Sequence, residues 1–371
     1  MELELLEAVT SQYPKVNLGD VHIIGVQHIL GTTHAMFKSL YTLGLKPENI
    51  SILGKCYSTS HKIYQEMIEC GINVSELSTL FNSHDEHSQE FNSFVDVFFT
   101  NELKKIKQKK PKLIVLLDDG AHLITRASRS GPPLCQYVGV EQTTLGFRRL
   151  QESLIQFPVI NVARSKAKLK YESPMIGEAA ISRISKKLNE IDFKPKGTLI
   201  IGMGYIGREM HERLRHESNL YIYDNKNPGS QSTLFDSLKV CNLIIGCSGA
   251  TSLSSEIHSK LHKNSVLISI SSSDLEFDAV HLRKKIKPSR DCHQDYYVDG
   301  HILVNGGFPV NFDGGEHSVE PQKIQLTRGL LSGAILQAAS LSTYPKKIID
   351  LDRNIQNLLI DLHTSHHCLT V

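Results

Sequence analysis

Short apolar runs alternate with helix-length amphipathic stretches along most of the chain. Val21–Gln27, Ile50–Gly54, Leu113–Leu117 and Pro158–Val162 read as buried strands, with helical spacing over Thr33–Leu43 and Thr59–Cys70 between them. Strands alternating with helices predict a parallel sheet with helices on both faces. The pattern restarts at Gly197 with strand Thr198–Ile201, helix Ile206–Leu214, and strands Leu220–Tyr223, Asn242–Gly246 and Val266–Ile270. Ile302–Asn305 follows as a strand, then the turn Gly306–Gly307, the loop Phe308–Glu316 and a long helical stretch from Gln322 to Leu341. The expected fold class is α/β, with two doubly wound domains. A helix that late could pack back on the first domain and make the second an insertion, which periodicity alone leaves open.

Composition narrows the function classes. A chain of 371 residues has room for roughly two domains, each with its own core. Hydrophobic content of 40% and charged content of 22% exclude a wholly disordered chain, a fibre and a membrane bundle. Lys+Arg 41 against Asp+Glu 39 leaves a net charge of +2, too little surplus to hold nucleic acid or an anionic membrane. The basic run Lys104–Lys110 reads as a solvated helix face before Pro111. The 18 histidines would add charge below about pH 6.5. The first ten residues, MELELLEAVT, lack the basic and apolar regions of a signal peptide, and no apolar run approaches the roughly 20 residues of a membrane span. Seven scattered cysteines without a CxxC argue against a disulfide framework or a thiolate zinc site, so a cytoplasmic location is expected. His363, His366, His367 and Cys368 sit at an unanchored terminus, and no metal is expected there.

The sharpest local signal is Gly202-Met203-Gly204-Tyr205-Ile206-Gly207, which follows one apolar strand and opens a helix. In that context Gly202 permits a tight turn, Gly204 lets backbone approach a pyrophosphate, and Gly207 allows close helix–strand packing. The helix amino terminus then offers unpaired N–H groups to the phosphates. Asp224 ends the next strand, where an acid binds the ribose 2′-hydroxyl and repels a 2′-phosphate, favouring NAD over NADP. A second turn, Gly246-Cys247-Ser248-Gly249, follows Asn242–Ile245 and would line the same crevice.

Polar groups cluster where open α/β sheets place ligands, at the carboxyl ends of strands. They are His28, Asp118-Asp119-Gly120, Glu141-Gln142-Thr143-Thr144, and the group Lys166–Glu172 after Pro158–Val162. Singly, each has a structural alternative: a hydrogen-bonded histidine, a common turn, a solvated lysine face. Together they suit a specific chemistry. Beside NAD, a lysine can take the proton of a secondary alcohol while hydride leaves its carbon. The ketone acidifies the neighbouring C–H, which a carboxylate such as Asp119 could remove, and a histidine such as His28 could protonate a β-leaving group.

Across nearly its whole length the chain resembles S-adenosylhomocysteine hydrolase (adenosylhomocysteinase). The likeness is carried, in the family's order, by Gly25-Val26-Gln27-His28, Cys56-Tyr57-Ser58-Thr59, Leu117-Asp118-Asp119-Gly120, Thr143-Thr144-Leu145-Gly146, Pro158–Val162, the Gly202 motif and Leu303-Val304-Asn305. The resemblance implies a flavodoxin-like substrate domain over residues 1–176, an inserted Rossmann NAD domain over 177–305, and a return to the substrate domain over 306–371. It also implies a small-molecule nucleoside substrate and a homo-oligomer, a dimer or tetramer. His28, Asp119, Lys168 and Glu172 would be catalytic, and Ser58, Gln142, Thr143, Ser173 and Asn305 would bind substrate. NAD would be held by Thr143, Thr144, Gly202, Gly204, Tyr205, Ile206, Gly207, Asp224, Cys247, Ser248 and Asn305, with Asp274 nearby.

Departures from the family cluster at the chemistry. Gln142 replaces a glutamate, Glu172 an aspartate, Ser173 an asparagine, Gly177 a cysteine and Ser272 a histidine. Leu30 and Thr32 stand where the family recognises adenine, Gly307–Asp313 replaces its Gly-His-Pro-Ser gate, and its carboxy-terminal arm is missing. Three readings follow: a hydrolase of S-adenosylhomocysteine or a related nucleoside thioether; an oxidoreductase or epimerase that keeps only the redox half; and a catalytically silent NAD-binding regulator.

Overall fold

Runs of Val, Ile and Leu with no polar alternation must be covered on both faces, and that is where the strands lie. The computed structural model describes residues 3–130, 135–226 and 230–368. The first strands are β1 (Val21–Val26), β2 (Ile50–Leu53), β3 (Asn73–Val74), β4 (Leu113–Asp118), β5 (Gln136–Glu141) and β6 (Val159–Asn161). They are followed by β7 (Thr198–Ile201), β8 (Leu220–Tyr223), β9 (Leu243–Gly246), β10 (Val266–Ser269), β11 (Tyr296–Val298), β12 (His301–Leu303) and β13 (Ile348–Asp350). Every residue of β4 is buried, as expected of a central parallel strand.

The chain divides into two compact units. The first comprises residues 1–79, 91–172 and 320–371, and the second residues 80–90 and 173–319. The fold class is the α/β, doubly wound one that the alternation predicts, in both.

In the first unit the strand order is β13-β6-β5-β4-β1-β2-β3, all parallel. Without the two-residue edge strand β3, the run β2-β1-β4-β5-β6 is the flavodoxin-like order. Its direction of winding reverses between β1 and β4, which opens a crevice at their carboxyl ends. The core under one face joins Val26, Phe98, Phe99, Leu116, Leu123 and Val159. Helix Pro321–Ala339 is buried along most of its length, and it packs against helices Glu4–Ser11 and Gly31–Leu40. The cover takes in polar Gln325, Thr327 and Arg328 as well as the largely apolar run Leu330–Leu336.

The second unit has the order β11-β12-β10-β9-β7-β8, parallel except for β11 against β12. Its winding reverses between β7 and β9, beside the glycine turn. Residues 80–90 are held here by Ser83, whose N–H donates to the Ser289 carbonyl at 3.0 Å and whose own carbonyl accepts from Arg283 Nε at 2.9 Å. The strand expected over Ile302–Asn305 stops at Leu303: Val304–Gly307 is a tight turn in which Asn305 (φ 52°) and Gly306 (φ 60°) are left-handed, which ends sheet pairing. Lys166–Glu172 opens a long helix, Lys166–Glu190, that carries Pro174 inside it. No helix among the described residues is long and apolar enough to cross a membrane. His363 packs edge-on against Tyr171, their ring centroids 5.1 Å apart. The side chains of His366, His367 and Cys368 lie outside the described residues.

Candidate active site

At the switch point of the first unit, β1 delivers His28 and β4 delivers Asp119, both just past their last paired residue. His28 Nδ1 lies 2.7 Å from Ser58 Oγ, and Nε2 lies 3.3 Å from Asp119 Oδ2. The other carboxylate oxygen of Asp119 is ion-paired with Lys55, whose ammonium also donates to the Asp119 carbonyl at 3.2 Å. Gln142 donates its amide N–H to Asp119 Oδ2, while Gln142 Oε1 is buried with no partner. Burial by itself would raise the Asp119 carboxyl, but Lys55 and His28 hold it well below the usual carboxylate range. Burial lowers the pKa of His28 despite Asp119, so the ring is neutral at pH 7. Burial also opposes the charge on Lys55, but Asp119 keeps its pKa above the ordinary lysine value.

A second cluster sits on the first turns of helix Lys166–Glu190. Lys168 and Glu172, four residues apart and so on one helix face, form an ion pair. The same Glu172 oxygen accepts from Thr327 Oγ1 at 3.2 Å. The next residue, Arg328, is 4% exposed and donates from Nε to Thr32 Oγ1 at 3.2 Å. Burial pushes the pKa of Arg328 down to about 10, with Glu172 and Asp119 opposing the shift. The charge of Arg328 also disfavours a proton on His28, so its field reaches both clusters. Lys55 and Arg328 lie outside the polar groups that the sequence pattern marks. Lys55 had a usable signal, since it directly follows the β2 turn at Gly54 and precedes Cys56-Tyr57-Ser58-Thr59. Arg328 had none, because it lies mid-helix.

The remaining candidates are placed as follows. Thr143 caps helix Thr144–Gln151: its Oγ1 accepts from Gly146 N at 2.9 Å and donates to Glu141 Oε1 at 2.6 Å. Thr144 is the first residue of that helix. Ser173 is half-buried within helix Lys166–Glu190 and belongs to the second unit.

Beneath the first cluster lies a pair of buried carboxyls, Asp118 and Glu141, directly opposite each other in the β4–β5 register. Burial, with the charge of Asp118, pushes Glu141 up to about 8; burial, opposed by backbone N–H groups of the following helix and reinforced by Asp119, pushes Asp118 up to about 6. A carboxyl raised by folding stabilises the fold most fully below its unfolded pKa, and that contribution is lost as pH rises through the folded value. The melting temperature of the protein should therefore fall between about pH 4.5 and 8. Glu141→Gln should flatten that slope, and thermal scans across the range would show it; a slope equal to the parent's would refute the assignment.

In the second unit Gly202 has φ +94°, and a Cβ there would stand 2.7 Å from the Ser248 backbone. At Gly207 a Cβ would fall 1.8 Å from the Gly202 carbonyl, whereas at Gly204 it would meet nothing within 4 Å. Two of the three glycines are thus demanded by packing, and the middle one leaves an open face. Tyr205 opens the following helix and is half exposed, with Ile206 next to it. Asp224 accepts from Lys226 N at 2.9 Å and from Met203 N at 2.6 Å, which keep its carboxyl below the ordinary value. An open glycine and a negative acid across the turn fit the adenosine and pyrophosphate half of a dinucleotide. The other candidates in this unit are already engaged. Ser248 gives its N–H and Oγ to the buried carboxylate of Glu276, at 3.1 and 2.7 Å. Burial and Glu276 push the Cys247 thiol up and out of reactive range. Asn305 donates to the Pro309 and Phe312 carbonyls at 3.0 and 2.8 Å, and its Oδ1 lies 2.9 Å from His293 Nδ1. Asp274 is paired with the buried Arg283 at 2.5 Å.

No family model matches the chain. An uncharacterized protein of Mycobacterium tuberculosis is 37% identical over 330 residues, covering 87% of this chain and 65% of its own length. The chain therefore spans just under two thirds of that relative. It is also distantly similar to the S-inosyl-L-homocysteine hydrolase of Methanopyrus kandleri, 24% identical over 82% of this chain and 74% of that one. A third relative is the adenosylhomocysteinase of Sulfurisphaera tokodaii, 22% identical over 97% of this chain and 81% of that one.

Proposed function

We propose that the protein is an NAD-dependent hydrolase of a nucleoside thioether, of the S-adenosyl- or S-inosylhomocysteine class. The observation that carries this reading is the carboxylate of Asp119, held ionised by Lys55, His28 and Gln142 in the crevice between β1 and β4. The names of the two distant homocysteine-conjugate hydrolases support it. Bound NAD would supply a hydride acceptor for the sugar C3′ and return the hydride at the end of the cycle. Lys168 would hold the 3′-oxygen and pass its proton to Glu172, to which it is already paired. Asp119 would take the C4′ proton once the 3′-ketone has acidified it; an ionised acceptor is needed at this step. The neutral ring of His28, between Ser58 and Asp119, would handle the proton of the leaving sulfur and of the incoming water. The unpartnered Oε1 of Gln142 is a ready acceptor for a sugar hydroxyl.

The decisive experiment incubates the purified protein and excess NAD with S-adenosyl- and S-inosylhomocysteine, following thiol release and nicotinamide absorbance together. Thiol release that requires NAD is the expected result. Nicotinamide reduction without thiol would replace the hydrolase by an oxidoreductase, and neither signal would remove the reading.

A further inference from the structure

On the face of the first sheet that helix His87–Lys109 covers, apolar packing stops short at one end. Ile24 and Val26 of β1 join Ile106 of the helix in the core, but two residues before Ile24 the same face carries His22. Ser51 of β2 stands opposite Ile24 in the register, and Asn73 of β3 opposite Ser51. Three neighbouring strands thus put polar side chains where a covered parallel sheet is normally apolar. The helix answers with Glu102, which is 4% exposed. Its carboxylate accepts from Ser51 Oγ at 2.6 Å, Asn73 Nδ2 at 3.0 Å and Lys105 Nζ at 2.7 Å. Interiors close-pack, but a cavity of about 240 Å³ remains between these groups, with Ile24 and Ile106 on its wall. It lies at the amino-terminal ends of the strands, roughly 20 Å along an extended chain from His28. All its lining residues belong to the first unit.

The cavity keeps bonding capacity of both signs. The basic run of the sequence supplies Lys105 and, one helical turn later, Lys109. Lys105 is paired with Glu102, and Lys109 spends its ammonium on one neutral acceptor, the Glu48 carbonyl, at 2.9 Å. Among the described residues, the Glu48 carboxylate, the His22 ring and Asn73 Oδ1 have no hydrogen-bond partner. Burial and Lys109 lower the pKa of His22 against Glu102 and Glu48, so the ring is neutral at pH 7. The charges that remain, Lys105 and Lys109 against Glu48 and Glu102, balance. A ligand with net charge would upset that balance, whereas one carrying both charges close together preserves it.

We infer that this cavity binds a free α-amino acid with a short apolar side chain, at a site separate from the catalytic crevice. The ligand carboxylate lies between Lys105 and Lys109, and its ammonium meets the Glu48 carboxylate and Asn73 Oδ1. Its side chain covers Ile24 and Ile106. The inference is independent of the thioether reading, because none of these residues belongs to the crevice between β1 and β4.

The test measures equilibrium binding of L-methionine to the full-length protein with NAD, beside its two analogues that lack either the amino group or the carboxylate. Lys109→Gln and Glu48→Gln each remove one charge at an exposed position, so both variants should fold as the parent does. Methionine should bind the parent about tenfold or more tighter than either analogue, and each variant should weaken it about fivefold or more. Saturating adenosine should leave that affinity unchanged. An analogue that binds as tightly as methionine would overturn the inference, and so would an affinity that neither variant alters. Competition by adenosine, or no binding at all, would overturn it too. None of these results bears on the thioether reading, which thiol release tests separately.

Discussion

Asp119→Asn should destabilise the protein by about 3–5 kcal/mol and stop thiol release, lowering turnover about 10²–10⁴-fold. The stability loss comes from Lys55: with Asp119 and Lys55 side chains only 6% and 11% exposed, neutralising the carboxylate leaves an ammonium buried with no counter-charge. The rate loss comes from removing the acceptor of the C4′ proton, and these two effects can be separated. Asp119→Asn combined with Lys55→Met removes both charges and should regain most of the stability without regaining turnover. Chemical denaturation gives the first quantity and thiol release the second. Nicotinamide reduction should survive in Asp119→Asn, since oxidation at C3′ precedes the step that is lost. A double variant as inactive in oxidation as in cleavage would show that Asp119 is needed only for the architecture of the site.

Lys168→Met should do the reverse, abolishing nicotinamide reduction and thiol release together by about 10²–10⁴-fold. Its cost in stability should be much smaller than that of Asp119→Asn. The orphaned Glu172 carboxylate keeps the Thr327 hydroxyl and the field of Arg328. Rapid mixing with substrate, monitored at the reduced-nicotinamide band, would distinguish the two variants directly. Reduction at the parental rate in Lys168→Met would remove Lys168 and Glu172 from the chemistry.

Lys55 and Arg328 show why these clusters were only half legible. His28, Asp119 and Gln142 stand at the carboxyl ends of apolar runs, and strand ends in an open α/β sheet converge on one crevice whatever the loops do. Lys55 obeys the same rule, but a lysine after a strand usually lies in solvent, and only the facing carboxylate makes this one a buried partner. Arg328 lies within a helix whose spacing says nothing of its neighbours, and contact with helix Gly31–Leu40 is what turns it toward Thr32. The amide of Asn305 points the opposite way. It stands beside a recognisable motif, but a left-handed turn at φ 52° directs the amide into its own loop, where three groups engage it.

The apolar runs, the glycine spacing and the acid at Asp224 are local features. By themselves they determined two parallel-stranded layers and a dinucleotide-type turn, because strand burial and tight helix–strand packing depend on residues close in the chain. Tertiary structure decided which charges meet. It set Lys55 on Asp119, placed Arg328 on an uncapped helix start, committed Ser248 to Glu276, and drew residues 80–90 into the second unit through Ser83, Ser289 and Arg283. Those pairings join residues up to 296 positions apart, as between Thr32 and Arg328, so no local pattern encodes them. They are selected by the cost of leaving a buried charge or donor unpaired.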